Sequence, residues 1–188
     1  MTARLVGTLV VLTLVAGYVD AVAFFGMGVF TANMTGNTVL LAGALAERFV
    51  PKRPGEIALT LCVVSIGCFA GGAVAAAFAL RDERARPPVR SRAILLVVAL
   101  LLAFCAYAQH AGGLLARPEL TVAVLSAVMG MQSIVAVRAG VPGISTTFVT
   151  GTIVRAVSDF EASGREPRLR PEGAVNAIVW ACYLAGAL

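Results

Sequence analysis

The chain has 188 residues, of which 59% are hydrophobic and 13% are charged, with a formal net charge of +5. Soluble domains carry about 25% charged residues, so this composition excludes an ordinary soluble domain and predicts an integral membrane protein. The arginines cluster between apolar stretches, as the positive-inside rule describes. The positive charge therefore does not indicate binding to nucleic acid.

The first apolar stretch, Leu5–Phe25, follows Arg4 and admits two interpretations. A cleavable signal peptide would account for Arg4 and for the small residues Ala21-Val22-Ala23. We favour a retained membrane helix, because the apolar run continues to Phe25 and contains Asp20, where a signal peptide would be neutral.

The following segments fall into a long group and a short group. A helix needs about 20 apolar residues to cross the bilayer, and three further stretches meet this length. They are Ile57–Leu80, Ala93–Ala111 and Leu120–Val137. Two segments are shorter, Thr35–Ala46 and Thr150–Phe160. A last segment, Glu172–Leu188, runs to the chain end. The sequence therefore predicts an all-α membrane protein with about six to seven hydrophobic helical segments, two of them short enough to be re-entrant.

A shift of 115 residues relates two parts of the chain. It places Gly28–Val39 on Gly143–Val154 with five of twelve positions identical, and both copies contain the pattern T-x-x-x-T-G. The same shift places Ala70-Gly71 on Ala185-Gly186. We favour an internal duplication, although the residues that match are common in membrane helices.

The duplication predicts how the chain is organised. Residues 1–188 form a single membrane domain, with repeat one at about 1–80, a linking helix at about 92–112 and repeat two at about 116–188. Because Leu188 corresponds to Ala73 while the equivalent helix continues to Leu80, the last helix is expected to be incomplete, about seven residues short.

The two short segments decide the predicted topology. If all seven segments span, the Arg and Lys residues divide nine to six between the two faces. If each short segment returns to the face from which it entered, they divide eleven to four, which satisfies the positive-inside rule better. The second arrangement also gives the halves opposite orientations, as in the inverted repeats of many secondary transporters.

The predicted substrate site lies at the N-termini of the two short segments. Each segment follows a glycine-rich helix break, Gly26-Met27-Gly28 in the first copy and Gly140-Val141-Pro142-Gly143 in the second. Half-helix N-termini inside a membrane offer main-chain N–H groups and positive dipole ends, which suit an anionic or polar ligand. The candidate substrate-binding residues are Thr31, Asn33, Thr35, Gly36, Asn37, Thr146, Thr147, Thr150, Gly151 and Thr152. The alternative is that these residues only let helices pack closely and share hydrogen bonds.

Asp20 is the most unusual single residue, because an acid within an apolar helix is costly and tends to be functional. It is a candidate for coupling or gating, as the carrier of a proton or cation. Gln132 and Arg138 are candidates for the same role, with Arg138 as the ionic partner. The alternative is that Asp20 caps the helix break at Gly26.

No enzyme is expected, and no catalytic residue, metal site or cofactor is predicted. The cysteines lack metal-ligand or redox spacing, the single histidine has no second ligand nearby, and no known catalytic motif occurs. The expected partners are the lipid bilayer, a small polar or anionic substrate and a second copy of the chain, but not nucleic acid. The predicted dimer surface is formed by Gly67, Gly71 and Gly72.

The chain resembles the YoaK-like family of bacterial inner-membrane proteins, a family of unknown function. The resemblance covers essentially the whole chain, and the segments that carry it are 17–21, 30–38, 130–138, Pro142 and 146–152. The chain departs from the family at Ser133, where Asn is frequent, and in its early C-terminus. The resemblance implies a multi-pass protein of the bacterial cytoplasmic (inner) membrane and implies no substrate.

Two functions are compatible with these features. The first is a small-molecule transporter or permease that binds its substrate at the paired motifs. The second is a non-transporting membrane assembly partner or sensor, in which the motifs serve helix packing.

Overall fold

The computed structural model describes residues 3–46, 59–81, 89–111, 117–138 and 171–188. These residues form six α-helices and no strand. The helices are α1 (Ala3–Met27), α2 (Met34–Ala46), α3 (Leu59–Ala79), α4 (Val89–Ala111), α5 (Pro118–Arg138) and α6 (Pro171–Ala187). The predicted short segment Thr150–Phe160 lies outside the described residues.

Four helices are long and apolar enough to cross a membrane. The candidate spans are Val6–Met27, Leu59–Ala79, Val89–His110 and Pro118–Arg138, and each has 21 or 22 residues. Large apolar side chains on these helices are exposed, such as Phe25 at 85% and Phe78 at 67%. Such surfaces suit lipid and not water, so the predicted class of an all-α, multi-pass membrane protein is confirmed.

A sharp break separates α1 from α2. Gly28 has a φ of 74°, and its N–H donates to the carbonyl of Phe24 at 2.9 Å. This is a helix end in the left-handed conformation that glycine tolerates best. The side chain of Asn33 then caps α2 by accepting the N–H of Gly36 at 3.1 Å. With 13 residues α2 is about 20 Å long, less than the ~30 Å of bilayer hydrocarbon.

The chain divides into two compact units, one formed by Met1–Tyr18 with Ala136–Leu188 and the other by Val19–Val135. In the first unit, α1 and α6 approach so closely that only glycine fits at two positions. A Cβ atom on Gly17 would collide with the carbonyl of Tyr183, and one on Gly186 with the carbonyl of Leu14. Main chain therefore packs on main chain, as at many membrane helix pairs.

In the second unit, α3 and α5 make a close approach of the same kind. A Cβ atom on Gly72 would collide with the carbonyl of Ala127, and one on Gly130 with the carbonyl of Phe69. In both helix pairs, the carbonyl that covers one glycine belongs to the residue three positions before the other glycine. Gly72 thus packs inside the chain, whereas Cβ atoms on Gly67 and Gly71 would meet no atom within 4 Å.

The apolar core of the second unit surrounds the break between α1 and α2. Val29, in the break, packs with Leu61 and Cys62 of α3 and with Val122 of α5, and α2 adds Leu40 and Leu41 to this cluster. The break is therefore enclosed by helices on more than one side.

Helix α4 is packed much less than its neighbours. Its buried apolar residues, Val98 and Cys105, lie seven positions apart and form a narrow seam, while Leu100 and Phe104 are exposed. The amide of Gln109 donates to the hydroxyl of Thr121 at 2.6 Å and links α4 to α5.

Candidate functional site

The break between α1 and α2 is held by buried polar side chains from three helices. Asp20 of α1, Asn37 of α2 and Ser65 of α3 are no more than 2% exposed, and so is Thr31 within the break. Buried polar groups in an apolar surrounding are costly unless each one has hydrogen-bond partners. Hydrogen bonds to other parts of the chain meet this requirement, and we call Asp20, Asn37 and Ser65 together the polar clamp.

Asp20 lies in α1, two turns before the break, and it binds the break directly. One carboxylate oxygen accepts the N–H groups of Thr31 and Ala32, both at 2.7 Å, and the hydroxyl of Thr31 at 3.2 Å. Consecutive main-chain N–H groups that converge on one oxygen form an anion-binding turn, here occupied by a carboxylate of the same chain. Asp20 therefore stabilises the non-helical backbone that separates α1 from α2.

Asn37 holds the same segment from the side of α2. Its Oδ1 accepts the N–H of Phe30 at 2.8 Å, and its Nδ2 donates to the carbonyl of Phe30 at 2.6 Å. The amide side chain thus satisfies both main-chain groups of one residue, as a neighbouring strand would do. The second hydrogen of Nδ2 is donated to the hydroxyl of Ser65 at 2.8 Å.

Ser65 extends the clamp to α3, and Ser126 connects it to α5. The hydroxyl of Ser65 donates to the carbonyl of Phe30 at 2.7 Å and lies 2.9 Å from the hydroxyl of Ser126. Neither serine stands out in the sequence as a candidate site residue. Each stands alone among apolar residues, and a lone serine in a membrane helix gives no signal that distinguishes a network from packing.

Gly36 of the T-x-x-x-T-G motif has a packing role in this structure. A Cβ atom there would lie 2.7 Å from Cδ2 of Phe30, so the glycine makes room for the phenyl ring. The ring of Phe30 also stacks on Phe24, with centroids 4.5 Å apart and planes inclined by 10°. The stacked rings thus join the last turn of α1 to the break by an apolar contact.

The other predicted site residues are distributed as follows. Thr35, at the start of α2, is exposed, and Asn33 is partly buried as the cap of α2. In α5, Gln132 is buried and Arg138 is exposed. The second-motif residues Thr146, Thr147, Thr150, Gly151 and Thr152 lie outside the described residues. The structure thus brings together Asp20, Thr31 and Asn37 around one backbone segment.

No metal-binding group of three or more His, Cys, Asp or Glu side chains occurs in the part of the chain that the structure describes. The hydrogen-bond donors at the break are main-chain N–H groups, the amide of Asn37 and the hydroxyls of Thr31 and Ser65. Such groups bind anions or neutral polar molecules, and here they bind parts of the same chain.

The fold and the clamp define a polytopic helical membrane protein with a broken, polar segment inside an apolar core. The family described as "Protein of unknown function (DUF1275)" matches residues 8–188, and the chain belongs to this family. The predicted YoaK-like family is thereby confirmed.

One similar protein is the UPF0700 transmembrane protein YoaK of Bacillus subtilis (strain 168), which is 31% identical over 159 residues. The matched region covers 82% of this chain and 65% of that relative, so it spans less than two thirds of the relative's length. No solved structure matches the chain.

Proposed function

We propose that the protein is a small-molecule transporter or permease of the bacterial inner membrane, with a substrate site at the paired T-x-x-x-T-G motifs. The observation that carries this proposal is the broken segment between α1 and α2, held by an acid that is 2% exposed and an amide that is 0% exposed. Non-helical backbone at membrane depth is tolerated where it is buried in protein or lines a cavity, and ionisable residues there are mostly functional.

The two close helix pairs support the internal duplication on which the paired site depends. Gly17 and Gly130 are 113 residues apart, and Gly72 and Gly186 are 114 residues apart, close to the 115-residue shift of the motifs. In each pair, the first helix of one repeat meets the third helix of the other. A duplicated transporter with inverted halves would bury its repeats against each other through such contacts.

The N-terminus of α2 favours a ligand that is polar or anionic. The side chain of Thr35 is exposed on the first turn, and the first N–H groups of any helix lack partners within that helix. The other polar side chains of the first motif bind the chain itself, so we propose that they shape the site while Thr35 faces the ligand. Asp20, Gln132 and Arg138 are proposed to act in coupling or gating, and no cofactor or enzymatic step is part of this function.

A specific observation favours a second candidate, a membrane assembly partner or sensor. The hydrogen bonds of Thr31 and Asn37 are directed at Asp20, Phe30 and Ser65, which is what a purely structural motif requires. In that case the break would fix helix positions, and no small molecule would bind at α2.

Thermal unfolding of the purified protein distinguishes these functions. Inorganic phosphate, acetate, glycine and glycerol serve as probes, and the test variant is Thr35→Val combined with Thr150→Val. A transporter predicts that one of these polar probes raises the melting temperature of the wild type and has no effect on the variant, which itself folds normally. Thr38→Val is the matched control, because Thr38 is exposed on the same helix and its hydroxyl binds the carbonyl of Met34.

The same measurement supports the second candidate under a different outcome. If the double variant does not fold while Thr38→Val does, the motif threonines serve packing. If no probe stabilises the wild type, the transporter proposal loses its support for these classes of substrate.

A further inference from the structure

The hydrogens of the Ser65–Ser126 contact can be assigned from chemistry alone. A carbonyl cannot donate, so Ser65 must give its single hydroxyl hydrogen to the carbonyl of Phe30. Ser65 then has only lone pairs left, and these accept from Asn37 and from Ser126. The hydroxyl of Ser126 is therefore the donor in the 2.9 Å contact between the two serines.

The members of this network differ in how many hydrogen-bonding groups their loss would leave without a partner. Loss of Asn37 would leave the N–H of Phe30 without its acceptor, and loss of Ser65 would leave one amide hydrogen of Asn37 without its acceptor. Loss of the hydroxyl of Ser126 removes one donor and leaves every other member of the network satisfied. A serine in a helix can also turn its hydroxyl to a carbonyl of its own helix. Ser126 instead donates to Ser65, so this hydrogen bond links α5 to α3.

The position of Ser126 is fixed by the close contact between α3 and α5. The next residue, Ala127, places its carbonyl against Gly72, at the position where a Cβ atom would collide. Ser65 and Ser126 are both 0% exposed, so water does not compete for the hydrogen bonds of either hydroxyl. The contact between the serines thus sits on a helix pair whose main chains are already in contact.

We infer that Ser65 and Ser126 are positioning residues that hold the N-terminus of α2 through Asn37 and the carbonyl of Phe30. Ser126 lies in α5, the first helix of the second repeat, so it carries a contact from the second repeat to the first motif. The inference concerns how the N-terminus of α2 is held in position. It rests on the proposed function only in the identity of the ligand that this N-terminus binds.

The test uses a single cysteine in place of Thr35 in the full chain, with the four native cysteines replaced. The rate at which a small maleimide labels this cysteine in membrane vesicles reports how freely the first turn of α2 moves. Ser126→Ala is expected to raise the rate about threefold, the factor that corresponds to a membrane hydrogen bond of average strength. Ser126→Thr retains the hydroxyl and is expected to keep the original rate.

Ser133→Ala is the matched control on the same helix. The hydroxyl oxygen of Ser133 is buried and has no hydrogen-bond partner within the described residues, so its loss should leave the labelling rate unchanged. The double variant Ser65→Ala/Ser126→Ala should not exceed Ser65→Ala alone, because both changes break one chain of contacts.

Two results would overturn the inference. One is an unchanged labelling rate in Ser126→Ala. The other is an equal increase in Ser126→Ala and Ser133→Ala, which would mean that any small change in α5 loosens the protein. If Ser126→Ala does not fold, hydrogen exchange of residues 28–36 in Ser126→Thr and Ser126→Val replaces the comparison, and equal exchange in the two would contradict the inference. None of these readouts requires transport, so they stand apart from the probe experiment on substrate binding.

Discussion

The carboxylate of Asp20 accepts the main-chain N–H of Thr31 at 2.7 Å, although the two residues lie eleven positions apart and the helix between them has ended. This acid is therefore part of the fold. We expect Asp20→Asn to fold normally, because its amide oxygen can accept the same N–H groups. Asp20→Val should lower the free energy of unfolding by about 3 kcal/mol, since it leaves buried donors without an acceptor.

Unfolding of both variants in mixed detergent micelles measures this difference. A stability for Asp20→Val equal to that of the wild type would show that the contacts at the break contribute nothing. Asp20→Asn also has no carboxyl group that could carry a proton. Loss of a pH-dependent activity in that variant, with its stability retained, would therefore assign Asp20 to coupling as well as to the fold.

The glycines of α3 allow a second prediction with an internal control. Gly72→Ala should lower the free energy of unfolding by about 1–3 kcal/mol, because the added methyl group collides with the carbonyl of Ala127 and the helices must separate. Gly71→Ala, one position earlier on the same helix, meets open space, so it should be neutral or slightly stabilising through helix propensity. Both are measured in micelles at a concentration where the protein is monomeric. Equal effects in the two variants would contradict the close approach of α3 and α5.

Asn37 provides a third prediction. Asn37→Asp keeps the shape of the side chain but removes the two hydrogens that bind Phe30 and Ser65, and it adds a buried charge. We expect a loss of about 3 kcal/mol or more in the free energy of unfolding. Thr38→Val, next to it on the exposed face of α2, should change stability by less than about 0.5 kcal/mol. Comparable losses in both variants would mean that α2 is sensitive to any substitution and that the amide has no special role.

Much of the fold follows from the sequence, since bilayer thickness imposes a length on apolar runs. The helix predicted at Leu120–Val137 is observed as Pro118–Arg138, and the break predicted at Gly26-Met27-Gly28 occurs at Gly28. The site could be predicted only in part. Asn37 was recognisable as a polar residue in the right place, but whether its amide meets a ligand or the chain depends on Phe30 and Ser65, which are distant in sequence.

Contacts between residues that are distant in sequence also explain why Asp20 had two open interpretations and why Ser65 and Ser126 were missed. The partners of Asp20 are main-chain groups, and every residue type carries those. Ser65 and Ser126 are 61 positions apart, and nothing in either local sequence indicates that their hydroxyls meet. Such contacts become visible only when the helices are placed in three dimensions.

A substrate site at half-helix ends within the membrane requires that the short helices return to the face from which they enter. Cysteine accessibility in intact cells tests this, with single cysteines in place of Lys52, Arg86 and Arg168 in a background without native cysteines. We expect the probes at Arg86 and Arg168 to be labelled from one face of the membrane and the probe at Lys52 from the other. Labelling of Lys52 and Arg168 from one face, with Arg86 on the opposite face, would mean that every segment spans, and it would contradict a substrate site at half-helix ends within the membrane.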